Sequence, residues 1–194
     1  MRRPKQSASD ARGRVLETAD RLFYQEGIRS VGIDRIVAEA GVAKMTLYHH
    51  FPSKDELILA TLRHREERVM EFFRSALARH GELGKDPIQS FFAAFEEWLS
   101  SGGFRGCAFQ NAAVELADPD HPGARFAREH KLRFSALLRG LVAETLGKEA
   151  PELVPRIALL VEGAIVTAVV HQQPEAAQIA RDAALALLAA AKAS

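Results

Sequence analysis

Residues 33–51 read IDRIVAEAGVAKMTLYHHF, and their spacing decides the fold. Ile33, Ile36, Val37 and Ala40 recur three and four residues apart, the period at which side chains share one face of an α-helix. Gly41 stops that helix after barely two turns, as a residue that accepts a left-handed backbone at a helix C-terminus. Val42, Leu47 and Phe51 then bracket a second short helix over about 44–50, which must end by Phe51 because Pro52 disfavours helical geometry in the residue before it. Two short helices joined at a glycine, with Ala40 and Val42 small enough for a close crossing, form a helix-turn-helix.

Working outward, Val15, Ala19, Leu22 and Phe23 form an apolar stripe that ends at Gly27 and predicts a first helix over about 8–26. After Pro52, Ser53 and Glu56 make a capping box, which starts a long helix reaching about Arg79, ~40 Å at 1.5 Å per residue. Ile88, Phe91, Phe92, Phe95, Trp98 and Leu99 mark a fifth helix closed by Gly102 and Gly103, and Cys107–Leu116 a short sixth. The turn DPDHPG, residues 118–123, precedes a helix of some 25 residues up to Gly147. Pro151 marks the expected start of an eighth helix striped by Ile157, Leu160, Val161, Ala164, Ile165, Ala168 and Val169. An alanine-rich last helix with Ile179, Ala183, Leu187 and Ala190 follows Pro174. Alternating β-branched residues and Asn-Gly or Asp-Gly turns are nearly absent, so the expected fold is all-α with about nine helices.

The chain has 194 residues, of which 26 are basic and 25 acidic, for a formal net charge of +1. That balance excludes a bulk polycation, and 47 % apolar residues exclude disorder. Split at Asp55, the first 55 residues carry ten bases against seven acids, net +3, and the rest 16 against 18, net −2. Five of the bases fall within Arg2–Arg14, a basic arm on a near-neutral body, which reads either as a phosphate contact or as a solvated tail. Cys107 is the single cysteine, so no intrachain disulfide forms and a reducing compartment, the cytoplasm, is expected. The N-terminus lacks the apolar core of a signal peptide, and the run Ile157–Val170 is interrupted by Glu162 and reads as a packed helix, so no membrane partner is expected. His64, His80, His121 and His171 have no metal-ligand spacing, and the adjacent pair His49 and His50 cannot chelate from one helix face, so no metal or other cofactor is expected. An enzyme would need Cys107 as nucleophile with His121 or His130 as base, and no phosphate loop or paired-acid motif supports that.

With Leu47 and Phe51 inward, Lys44, Met45, Thr46, Tyr48, His49 and His50 are left outside. They supply a cation for phosphate or guanine, hydroxyls for phosphate oxygens, and a thioether or methyl for a thymine methyl. From Val15 to Leu57 the chain resembles the N-terminal domain of the TetR family of transcriptional repressors: a first helix ending LFYQEG, then SVGIDRIVAEAGVAKMTLYHHFPSKDEL with its G-V-x-x-x-T-L-Y-x-x-F-x-x-K-x-x-L spacing. The resemblance implies a helix-turn-helix domain over 8–52 and a helical ligand-binding and dimerisation domain over 53–194. It implies a repressor that binds a palindromic operator in double-stranded DNA as a homodimer through its last two helices and is released by a small effector. It places Lys44, Thr46, Tyr48 and His49 toward the groove, Tyr48 and His50 near phosphates, and Lys54 on the backbone across the groove. Two positions depart from the family pattern: Ala43 stands where a capping Ser or Thr is frequent, and Met45 where a small residue is frequent. One half-site read by a seven-residue helix offers too few base contacts for genomic selectivity, which is a physical reason for paired readers.

For the effector, the candidate lining is Phe91, Phe95, Trp98, Phe109, Phe126, Phe134 and Val161, suited to a hydrophobic or aromatic molecule, although core packing accounts for each of them more simply. Glu162, in an apolar helix, needs a partner: a ligand cation, an arginine or the other subunit. Asn111, Glu115 and His130 are polar candidates of the same kind. Cys107, after a Gly-rich turn and at an expected helix start, reads either as a redox or electrophile sensor or, more simply, as a small buried residue.

Overall fold

The computed structural model describes residues 8–193, so Arg2, Arg3 and Lys5 of the basic arm lie outside the described residues. Among these, nine helices follow one another with no strand: α1 (Ala8–Glu26), α2 (Ile33–Ala40), α3 (Lys44–His50), α4 (Lys54–Glu82), α5 (Pro87–Leu99), α6 (Ala108–Leu116), α7 (Pro122–Leu146), α8 (Leu153–His171) and α9 (Ala176–Ala193). The fold is all-α, as the helical periodicity predicts. Two compact units divide the chain, one holding residues up to Glu67 with Ala108–Arg128, the other Arg68–Cys107 with the residues from Glu129 onward.

The first unit is built on α1. Val15, Ala19 and Leu22 have no solvent exposure, and Ile36 of α2, Leu47 of α3 and Leu57 of α4 are equally buried in its core. Phe109 and Ala112 of α6 and Ala124 and Ala127 of α7 are buried as well, so residues 8–52 are part of a larger compact body and not a unit by themselves. The Ser53 hydroxyl accepts from the Glu56 amide at 3.1 Å, the first half of the capping box, and sets the start of α4. A polar tie crosses the unit: Asp20 of α1, 5 % exposed, takes a two-pronged hydrogen bond from the Arg65 guanidinium of α4 at 2.8 Å to each oxygen. That guanidinium lies 4.0 Å from the centre of the Tyr24 ring. Beside it a cleft of about 20 Å³, lined by Thr61, Asn111 and Glu115 among others, has room for one water molecule.

The second unit is organised around α5. Asp86 caps the helix by accepting from the Gln89 amide at 2.9 Å, Pro87 occupies the first turn, and the Thr145 hydroxyl takes the Ile88 amide at 3.2 Å. Rings stack along its buried face: Phe91 lies 5.8 Å from Phe73 and 5.9 Å from Phe95, nearly parallel to both, with Phe134 tilted at 5.9 Å. The end of α4 is tied to α5 where His80 Nε2 meets the Glu97 carboxylate at 2.7 Å, and the helix runs past the expected end at Arg79 to Glu82. Helix α8 starts at Leu153, not at Pro151. Pro151 lies in the preceding turn, and Pro155 is the proline that sits in the first turn, where a missing amide hydrogen costs nothing. Alanines 176, 177, 180 and 184 are buried and let α9 approach its neighbours closely.

Candidate nucleic-acid interface

The turn between α2 and α3 is made by backbone geometry. Gly41 adopts φ 63° and ψ 41°, the left-handed conformation, and its amide and that of Val42 return to the carbonyls of Ala38 and Val37 at 3.4 and 3.3 Å. Arg14 of α1 adds a hydrogen bond from Nε to the Ala40 carbonyl at 3.1 Å, satisfying a further acceptor at that helix end. Ala43, the residue that precedes α3, is extended and makes no side-chain cap. A serine hydroxyl at this position would offer an acceptor to the first-turn amides that alanine lacks, so Ala43→Ser should raise stability by about 1 kcal/mol in denaturant unfolding; an unchanged midpoint would count against this geometry.

Leu47 and Phe51, 0 % and 3 % exposed, seat α3 against the unit. The opposite side is open: Met45 is 80 % exposed, Lys44, Tyr48 and His49 are exposed, and Thr46 and His50 half-buried. The two histidine rings meet edge to face at 5.2 Å. The Lys44 ammonium is 2.6 Å from Asp34 of α2, which holds it above the ordinary lysine range. Both groups are in solvent, where such a pair is weak and yields readily to a phosphate or a base. Away from α3, Arg21 and Arg35 share the Glu39 carboxylate at 2.5 and 2.9 Å, and Arg35 also pairs with Glu26. Arg21 and Arg35 hold Glu39 below the usual carboxylate range. Its folded pKa being the lower one, this contribution is present above the unfolded value and lost as pH falls through the folded value.

Lys54, which the family pattern assigns to a phosphate contact, is held by an acceptor within the protein. Its ammonium donates to the Ile28 carbonyl at 2.7 Å, lies 5.8 Å from the centre of the Phe23 ring, and is drawn below the ordinary lysine range by burial, against the opposing pull of Asp55 and Glu115. Glu115, an effector candidate by sequence, instead accepts from the backbone amides of Ile28 and Arg29 at 2.6 and 3.2 Å. His121, in the α6–α7 turn, accepts from the Gly123 amide through Nδ1 at 3.0 Å, and its Nε2 is 3.2 Å from Asp55 in the first turn of α4.

The remaining effector candidates fall in separate places. Phe109 and Phe126 face each other at 6.4 Å within the first unit, where Asn111 lines the small cleft. In the second unit Phe91, Phe95, Trp98 and Phe134 belong to the ring cluster, and Val161 and His130 are buried. Glu162 pairs with Lys131 of α7 at 2.6 Å, a lysine that the sequence reading does not name. Cys107 is 4 % exposed and immediately precedes α6, a position that fits packing. Among the described residues no three His, Cys, Asp or Glu side chains are grouped to hold a metal ion.

A short helix seated by two apolar side chains on a glycine-turned scaffold, with a polar outer face, defines the helix-turn-helix class of DNA readers. The family model described as "Bacterial regulatory proteins, tetR family" matches residues 15–61. The HTH-type transcriptional activator FasR of Mycolicibacterium smegmatis is 40 % identical over 107 residues, which cover 54 % of this chain and 48 % of FasR. The HTH-type transcriptional regulator LmrA of Bacillus subtilis is 32 % identical over 92 residues, 47 % of each chain, so the matches span about half the length of these curated relatives. Among solved structures, SCO4454, a TetR-family transcriptional regulator from Streptomyces coelicolor, superposes with a TM-score of 0.85 at 33 % identity, covering 95 % of this chain and 97 % of that one. The chain belongs to the TetR family of transcriptional regulators, a family of DNA-binding regulators and not of enzymes.

Proposed function

We propose that the protein is a cytoplasmic homodimeric repressor that reads a palindromic operator with α3 and is released by a small hydrophobic or aromatic effector. The observation that carries the DNA reading is the division of α3 into a buried Leu47 and Phe51 and an outer face of Lys44, Met45, Thr46, Tyr48 and His49. Lys44 and Thr46 serve as base readers, and Tyr48 and His50 as phosphate contacts. Tyr48→Ala should weaken all duplexes alike and Lys44→Ala should shift preference among sites, both measured by selection of bound duplexes followed by titration. Equal affinity of the Tyr48→Ala protein and the parent would remove Tyr48 from the interface.

The dimer reading rests on the outer sides of the last two helices. Leu159, Gly163, Val166 and Val170 recur at spacings of four, three and four along α8, and the three apolar side chains are 73 %, 54 % and 66 % exposed. Ile179, 71 % exposed, begins a similar stripe on α9 through Ala183, Ala186 and Ala190. Two such stripes suit a bundle shared with a second copy. Helix α8 is long and apolar enough to cross a bilayer, but its other side, Ile157, Val161, Ala164 and Ile165, is buried within the protein, as in a core helix. FasR is named an activator, so a transcription assay with the operator at either side of the promoter decides the sign of control.

A further inference from the structure

The sequence associates Glu115 with a ligand and Lys54 with DNA, yet the two meet on one backbone segment. Helix α1 ends at Glu26, and Gly27, at φ 93°, turns the chain so that the amides of Ile28 and Arg29 both point at one carboxylate. Successive amides after a left-handed residue form a concavity that binds anions, and here the anion is the Glu115 side chain, carried by α6 from 87 residues away. The other side of Ile28 is held as well, its carbonyl accepting from Lys54 at the start of α4. The fit is close: a Cβ at residue 27 would stand 2.9 Å from the Glu115 carboxylate oxygen. Glycine suits the backbone angle there, and an added Cβ would make the carboxylate shift.

From this geometry we infer that Glu115 is a positioning residue for DNA reading, fixing the α1–α2 turn from α6 and so the angle at which α2 and α3 are presented. The inference rests on the DNA-reading proposal above. The segment it grips, Ile28 to Gly32, is the only covalent link from α1 to the reading helices, and Val31 within it is fully buried. Sequence-specific contact demands correct placement of base-reading side chains, whereas non-specific contact demands only charge near phosphate. Loss of the carboxylate therefore separates the two kinds of binding. A change that merely lowers the folded fraction reduces both in proportion.

The test uses the full-length protein with a selected operator duplex and a scrambled duplex of equal length, together with hydrogen exchange at the Ile28 and Arg29 amides. Glu115→Ala should lower operator affinity about tenfold or more, the size of a lost base contact, while scrambled-duplex affinity stays within about twofold. The two amides should exchange markedly faster. Glu115→Gln, which keeps an acceptor oxygen, should recover most of the operator affinity, and Gly27→Ala, which pushes against the carboxylate, should resemble Glu115→Ala. If Glu115→Ala fails to fold, Gly27→Ala carries the test. Operator affinity unchanged in folded Glu115→Ala or Gly27→Ala, or operator and scrambled affinities falling together, would overturn the inference. Failure of the parent protein to prefer any duplex removes the DNA reading and this inference with it, whereas preference by the parent with unaltered Glu115 variants removes only the inference.

Discussion

Gly163→Arg should convert the protein from a dimer to a monomer and lower operator affinity about 100-fold or more, because the avidity of two linked heads disappears. The protomer itself should tolerate the change. A Cβ at Gly163 meets nothing within 4 Å, the position is exposed, and replacing glycine inside α8 by a good helix former gains up to about 1 kcal/mol of local stability. The expected cost is therefore confined to the surface between copies, where a long charged side chain would stand among Leu159, Val166 and Val170 and hold the helices apart. Light scattering reports the mass and duplex titration the affinity. A Gly163→Arg protein that remains a dimer would place the interface elsewhere.

Arg65→Ala should destabilise the first unit by about 3 kcal/mol, the scale expected when one member of a buried ion pair is removed and the other is left behind. Asp20 is the reason for so large an effect, since its side chain is 6 % exposed and receives both prongs of the guanidinium. By contrast Arg74→Ala, which breaks a solvent-exposed pair with Glu71, should change stability by less than about 1 kcal/mol. Denaturant unfolding of the two variants gives the comparison directly. Similar midpoints would mean that the Asp20–Arg65 tie is solvated and carries little.

The features that the sequence made readable are those set by neighbours along the chain. Gly41 and Pro52 act through the backbone of adjacent residues, so the bounds of α2 and α3 follow from sterics alone, and the inward side of α3 follows from the spacing of Leu47 and Phe51. Proline is a less selective signal near α8, where Pro151 and Pro155 both suit a helix entrance and only packing distinguishes them. The direction of long polar side chains was not readable, because it depends on partners far away in sequence. Lys54 finds an acceptor at Ile28, 26 residues away, and Glu115 finds donors in the amides beyond Gly27, and neither partner is visible from the local sequence. Glu162 announced by its setting that it needed a partner, while nothing local pointed to Lys131. Asp20 carried a signal that could have been used, a carboxylate immediately beside the buried stripe position Ala19 in α1.

The charge of the reading unit bears on how it finds DNA. Arg14, Arg21, Arg35 and Lys44, four of the ten bases in residues 1–55, are each paired with a carboxylate of the same segment, and the net charge that remains is +3. Modest non-specific attraction follows, and selectivity falls to the base-reading side chains and to the spacing of two heads. The central claim, that α3 reads duplex DNA from a dimer, is tested most directly by titrating the protein with a duplex selected from fragments of its own genome over about 50 to 200 mM salt, with stoichiometry measured at each point. The expected result is two protomers per site and an affinity that falls linearly on logarithmic axes as salt rises. Absence of binding to every duplex at the lowest salt would contradict the claim.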